Sequence, residues 1–139
     1  MWKPNILCLS SLVFVIPFLI SWTRGAPWYL TWNIGASIVC SQVYHGFYHD
    51  QKLRSYIKPV DMTICHLCII LHVYASLTQC KHVLTSVHVI SMYMSIAYAA
   101  FTYWFLNLSK ECKWHAILHL VTACGSGYFL MDPTCFHMA

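Results

Sequence analysis

Five apolar runs fill most of this 139-residue chain, at residues 6–22, 28–48, 60–77, 83–108 and 114–131. Each lies near or above the roughly 17–25 residues that a helix needs to cross a bilayer. Runs this long and uninterrupted do not alternate as the strands of a membrane barrel do. The connectors between them are short, which suits antiparallel neighbouring helices. Composition points the same way. The chain is 59% hydrophobic and 9% charged, against roughly 25% charged for a soluble domain. The expected fold class is all-α: one integral-membrane domain over residues 1–139, a polytopic bundle of about five transmembrane helices.

The formal net charge of +4 resides in the connectors and does not form a patch, so no nucleic-acid partner is expected. Lys3, Lys52, Arg54, Lys58, Lys110 and Lys113 fall on one side of such a bundle, and Arg24 and Lys81 on the other. That asymmetry predicts a cytosolic N-terminus and a luminal or extracellular C-terminus, with the organelle left open. The first run follows Lys3 and precedes the small residues Gly25 and Ala26, as a secretory signal does. Pro27 directly after Ala26 opposes cleavage, so a retained first helix is expected. The sequence Asn107-Leu108-Ser109 matches a glycosylation acceptor, but this topology keeps it cytosolic. The eight cysteines do not form the framework of a small secreted domain. Cys8, Cys40, Cys65, Cys68 and Cys124 lie within apolar runs and read as small hydrophobes. Cys80 and Cys135 fall together on the far side, where a disulfide and two free thiols are both open.

Polar residues within the runs follow helical spacing. Ser37, Ser41 and His45 recur every fourth residue in the second. Asp61, Cys65, Cys68 and His72 step by four, three and four in the third. His115, His119, Thr122 and Ser126 do the same in the last. Residues so spaced share one helix face, and polar faces in a bilayer turn toward protein and away from lipid. Depth adds a second constraint. The second run ends at the cytosolic side, while the third and fifth begin there. Ser41, His45, Asp61, His115 and His119 are therefore expected in one layer.

Three imidazoles and a carboxylate suit a catalytic zinc ion (Zn2+), which takes nitrogen ligands tetrahedrally and keeps one position for water. His45, His115 and His119 are the expected ligands. The metal lowers the pKa of its water from about 16 toward about 7. Asp61 then accepts or holds the water's proton, and Ser41 orients the water or donates to an oxyanion. Plainer roles stand beside these. His115 and His119 also suit hydrogen bonds between helices, Asp61 suits a helix cap behind Pro59, and Ser41 suits a helix contact. His66, His72 and His88 read as packing or cavity-lining residues, and His49 as solvated at the interface. Cys65-x-x-Cys68 lacks the second pair a zinc ribbon needs, and His82 and His137 carry no assignment.

Ser41-Gln-Val-Tyr44-His45, Val60-Asp61 and Trp114-His115-Ala-Ile-Leu-His119, in that order, resemble the CREST superfamily of membrane proteins. That superfamily includes alkaline ceramidases, adiponectin and progestin receptors and Per-type remodellers of GPI lipids. The nearest likeness is to its myomaker-like branch, through SQVYH, the gap to Asp61 and WHxxxHxxxACG. The resemblance implies a seven-helix fold, a zinc site, and a membrane lipid as substrate or ligand. Here a single run separates the Asp helix from the His-x-x-x-His helix, where three are expected. Orientation is preserved, and the shortfall implies a second copy or a partner chain to complete the pocket wall.

The first functional expectation is a zinc-dependent hydrolase of a lipid amide or ester, with the substrate class implied by the resemblance. The second is a non-enzymatic membrane-remodelling or fusion-type protein in which the metal is a structural staple. A proton or metal transporter is the third. It needs polar residues from face to face, whereas the polar stripes thin toward the far side.

Overall fold

The computed structural model describes residues 5–47, 50–106 and 112–136. Among them the chain is helical, with no strand. His49, His137 and the Asn107-Leu108-Ser109 acceptor lie outside the described residues, as do the ends of the second and fourth runs at residues 48 and 107–108.

Helix α1 spans Ile6–Thr23 and is interrupted by a 3-10 turn at Leu12–Phe14. Asn5 starts it. Its side-chain oxygen accepts from the N–H groups of Leu7 and Cys8 at 2.9 and 3.1 Å, satisfying donors that a helix start leaves open. Gly25, with φ 63°, ends it. The Ala26 N–H donates to the Ser21 carbonyl and the Gly25 N–H to that of Trp22. This pair of bonds needs a left-handed residue between helix and exit, a conformation costly for any residue with a Cβ.

Helix α2, Trp28–Gly46, runs back antiparallel. Helix α3, Gln51–Gln79, begins nine residues before the expected start at residue 60. The Asp50 carboxylate accepts from the Leu53 N–H at 3.0 Å and caps it, so Asp61 lies inside the helix and the reading of Asp61 as a cap is overturned. Pro59 sits inside too. It removes one backbone bond, but Gln51, Lys52, Ser55 and Lys58 around the first turns are exposed, so the loss falls where the helix is polar. Helix α4, Val87–Ala100, starts behind Ser86, whose hydroxyl accepts from the Val89 N–H. It continues into a π turn at Phe101–Phe105. Helix α5 spans Cys112–Leu130. Among the described residues two helices, α1 and α3, are long and apolar enough to cross a membrane.

The main apolar core lies toward one end of the bundle. Leu30 and Ile34 of α2, Ala75 of α3, Val89 and Met92 of α4, and Phe129 and Leu130 of α5 form the buried core. All lie toward the end where α2 and α4 begin and α3 and α5 finish. Helix α5 packs most extensively against α1 and then against α4, while α3 packs against α2. At Gly125 a Cβ would stand 2.5 Å from the Ser95 Cβ, so only hydrogen fits where α4 and α5 cross, the small-residue contact usual between membrane helices.

The same end is closed covalently by a disulfide between Cys80, after α3, and Cys135, after α5. Of the two states the sequence left open for these cysteines, the disulfide is the one found. Asp132 lies beside it, buried, and accepts from Ser86 Oγ and from the Thr134 N–H and hydroxyl at 2.8 and 2.7 Å. Burial pushes the Asp132 carboxyl up, but these hydrogen bonds outweigh it and hold it below its usual range. His88 Nδ1 stands 3.8 Å from Asp132 Oδ2, its ring against Tyr128.

Candidate metal centre

The polar layer occupies the opposite end, where α2 finishes and α1 and α5 begin. His45 sits in the last turn of α2. His115 and His119 stand one turn apart on α5 and so face the same way. Their rings meet: centroids lie 5.0 Å apart for His45 and His115, 5.4 Å for His45 and His119, and 4.8 Å for His115 and His119. One nitrogen from each of the three lies within 4.8 Å of the others. Nitrogens on one tetrahedral metal, bound at about 2.0–2.1 Å, stand roughly 3.3 Å apart.

The surroundings hold the rings in place. His45 is 2% exposed and His119 7%, while His115 lies half-buried at the rim. Asn5 Nδ2 donates to the His45 carbonyl at 3.0 Å, which ties the start of α1 to the end of α2. Gln42 Nε2 donates to the Cys8 carbonyl and to Ser11 Oγ, a second tie between the same helices. Tyr44 lies against His45 and receives the Arg54 guanidinium on its hydroxyl at 3.2 Å. Phe14, in the 3-10 turn of α1, meets His119 edge-on at 6.0 Å. Ser10 Oγ lies 2.9 Å from His119 Nδ1.

Several buried polar atoms of α2 and α3 have no hydrogen-bond partner among the described residues. His45 Nε2, Ser41 Oγ and Asp61 Oδ1 are buried without a hydrogen bond among the described residues. Buried polar atoms are nearly always satisfied, and an orphan costs about 1–3 kcal/mol. An imidazole nitrogen with a lone pair and nothing to accept, within reach of two more imidazoles, is suited to a cation. The donor set is therefore compatible with a metal ion. The group of converging ligand atoms comprises the three histidines; Asp61 is not part of it. Nor does Asp61 form an ion pair among the described residues.

Other expectations fare unevenly. His72 is buried and satisfied, its Nδ1 on the Cys68 carbonyl at 2.8 Å and its Nε2 on Ser126 Oγ at 2.7 Å, so it joins α3 to α5 as a packing residue. The proposed stripe on α3 is broken: Asp61 and His72 are buried, but Cys65 is exposed. His66 is exposed and bonds within its own helix. Asn5, Ser10 and Gln42 were missed. The signal for them was present, since each is a polar residue within or beside an apolar run, and such residues tend to turn toward protein. No protein-family model, curated protein or solved structure matches the chain.

Proposed function

We propose that this chain is a zinc-dependent hydrolase embedded in a membrane, cleaving an amide or ester of a bilayer lipid. The observation that carries the reading is the convergence of His45, His115 and His119 from two helices, with His45 Nε2 buried and unpartnered. Those three residues would hold the ion, as a three-nitrogen set that leaves a coordination position for water. Zinc bound there supplies a Lewis acid that brings water near neutral pKa. Asp61 Oδ1, buried and unpaired, holds the proton given up during attack. Ser41 Oγ, equally unpaired, donates to the carbonyl oxygen as charge develops on it. That Asp61 stands apart from the converging nitrogens favours this arrangement over a closed four-ligand staple.

The bilayer setting has its own support. Two helices are long and apolar enough to span it. Large apolar side chains are exposed on every helix, among them Trp22, Trp28, Trp32, Val39, Ile70, Leu77, Met94 and Leu120, which suits a lipid-facing surface. The basic residues Lys52, Arg54 and Lys58 flank the histidine end, and the disulfide closes the other. Basic-inside and oxidising-outside then agree on a cytosolic site and a luminal or extracellular cap. The likeness of the Ser–His, Asp and His-x-x-x-His motifs to the CREST superfamily supplies the lipid as substrate class.

Purified protein reconstituted in liposomes with labelled ceramide and phospholipid is the test. Cleavage should disappear on incubation with 1,10-phenanthroline and return when zinc is added back. Hydrolysis indifferent to chelation would defeat the metal mechanism. Stoichiometric zinc with no cleavage of either lipid would favour the membrane-remodelling reading.

A further inference from the structure

Ser10, on the first helix, belongs to no motif so far described. It touches His119 Nδ1 at 2.9 Å and also lies 3.1 Å from the Leu7 carbonyl. A serine hydroxyl has one proton to give and can accept as well. In the arrangement proposed below, the Leu7 carbonyl, which can only accept, takes that proton. The Ser10 oxygen must then accept from His119, which places the hydrogen of the neutral imidazole on Nδ1. The lone pair consequently lies on Nε2. The partner of one ring nitrogen decides which nitrogen is left to bind a metal.

We infer that Ser10 is a positioning residue: it fixes the tautomer and ring orientation of His119 so that Nε2 faces His45 and His115. This rests on the metal-site reading above. The local structure suits the task. Ser10 occupies the last full turn before the 3-10 segment of α1, and Phe14, one turn on, meets the edge of the same ring at 6.0 Å. Asn5 and Gln42 anchor this part of α1 to α2. Helix α1 thus supports the centre from its outer side without contributing a ligand.

Two measurements on the full chain test the inference, each on wild type, Ser10→Ala, Ser10→Thr and Ser11→Ala. The last removes a neighbouring hydroxyl that bonds Cys8 and Gln42 but not His119. The first is nitrogen NMR of 15N-histidine in the metal-free protein. Wild type and Ser10→Thr should show His119 protonated on Nδ1, and Ser10→Ala should move it toward the Nε2-protonated form. The second is zinc affinity by competition with a chelator. Ser10→Ala should weaken binding about 10–100-fold, with Ser10→Thr and Ser11→Ala within about threefold of wild type. Unchanged tautomer and affinity in a folded Ser10→Ala protein would overturn the inference. So would equal weakening by Ser11→Ala, which marks a general loosening of α1. Should wild type bind no zinc, the functional proposal falls, and the tautomer measurement still decides the role of Ser10.

Discussion

Replacing His115 by alanine is expected to lower bound zinc from about one ion per chain to near none, and to abolish lipid hydrolysis with it. Loss of a direct ligand should exceed the 10–100-fold weakening typical of an outer-shell change. Among the three histidines, His115 is the best position for this test. It lies half-buried at the rim, whereas His45 and His119 are buried. Truncating a rim side chain leaves little cavity, so the helical signal and melting temperature should stay close to wild type. His45→Ala and His119→Ala should lose zinc as completely, with some added loss of stability. The readouts are metal content by mass spectrometry and cleavage of labelled lipid in liposomes. A variant that loses zinc yet retains full hydrolysis contradicts the assignment.

Asp61→Asn should separate chemistry from metal binding. The substitution preserves shape and removes the charge and the proton-accepting oxygen. Hydrolysis is expected to fall about 10²–10⁴-fold, the usual worth of a positioned acid–base group. Zinc affinity should change little, because Asp61 lies outside the converging ligand atoms. The opposite pattern is equally informative. If Asp61→Asn strips the metal, the carboxylate is a fourth ligand, the site is closed, and the structural-staple reading gains. Parallel measurements of affinity and turnover on one preparation distinguish the two.

The helices were legible because each apolar run exceeds the length a soluble core helix needs, and short polar connectors mark the turns. Their boundaries were harder. Pro59 looks like the entry to a helix, since proline suits a first turn. Asp50, nine residues earlier, supplies the cap that starts α3. The proline is then absorbed in polar, exposed turns. Ser86 similarly shifts the start of α4 past Val83. On the site, the four-residue spacing of His115 and His119 and the shared depth of His45 were enough to predict that the three rings meet. Ser41 and Asp61 are buried as expected, but only the three histidines converge, because periodicity carries no distance between helices.

What escaped the sequence shares one cause. Ser10 sits in an apolar stretch where a serine is unremarkable, on a helix with the features of a secretory signal. Its importance depends on which face α1 turns to α5, and packing decides that. The exposure of Cys65 follows from the same limit: spacing says that residues share a face, but not how wide the buried part of that face is. Cys80 and Cys135 could be assigned to one side by topology, yet their pairing depends on how closely α3 and α5 finish.

The central claim is that three imidazoles share one cation between the end of α2 and the start of α5. X-ray absorption at the zinc edge, on protein purified without added metal, addresses it most directly. The account predicts one zinc per chain with three nitrogen neighbours at about 2.0–2.1 Å, one oxygen, and no sulfur. A chain with eight cysteines offers an obvious rival ligand set. Sulfur neighbours at about 2.3 Å, or no stoichiometric zinc at all, would contradict it.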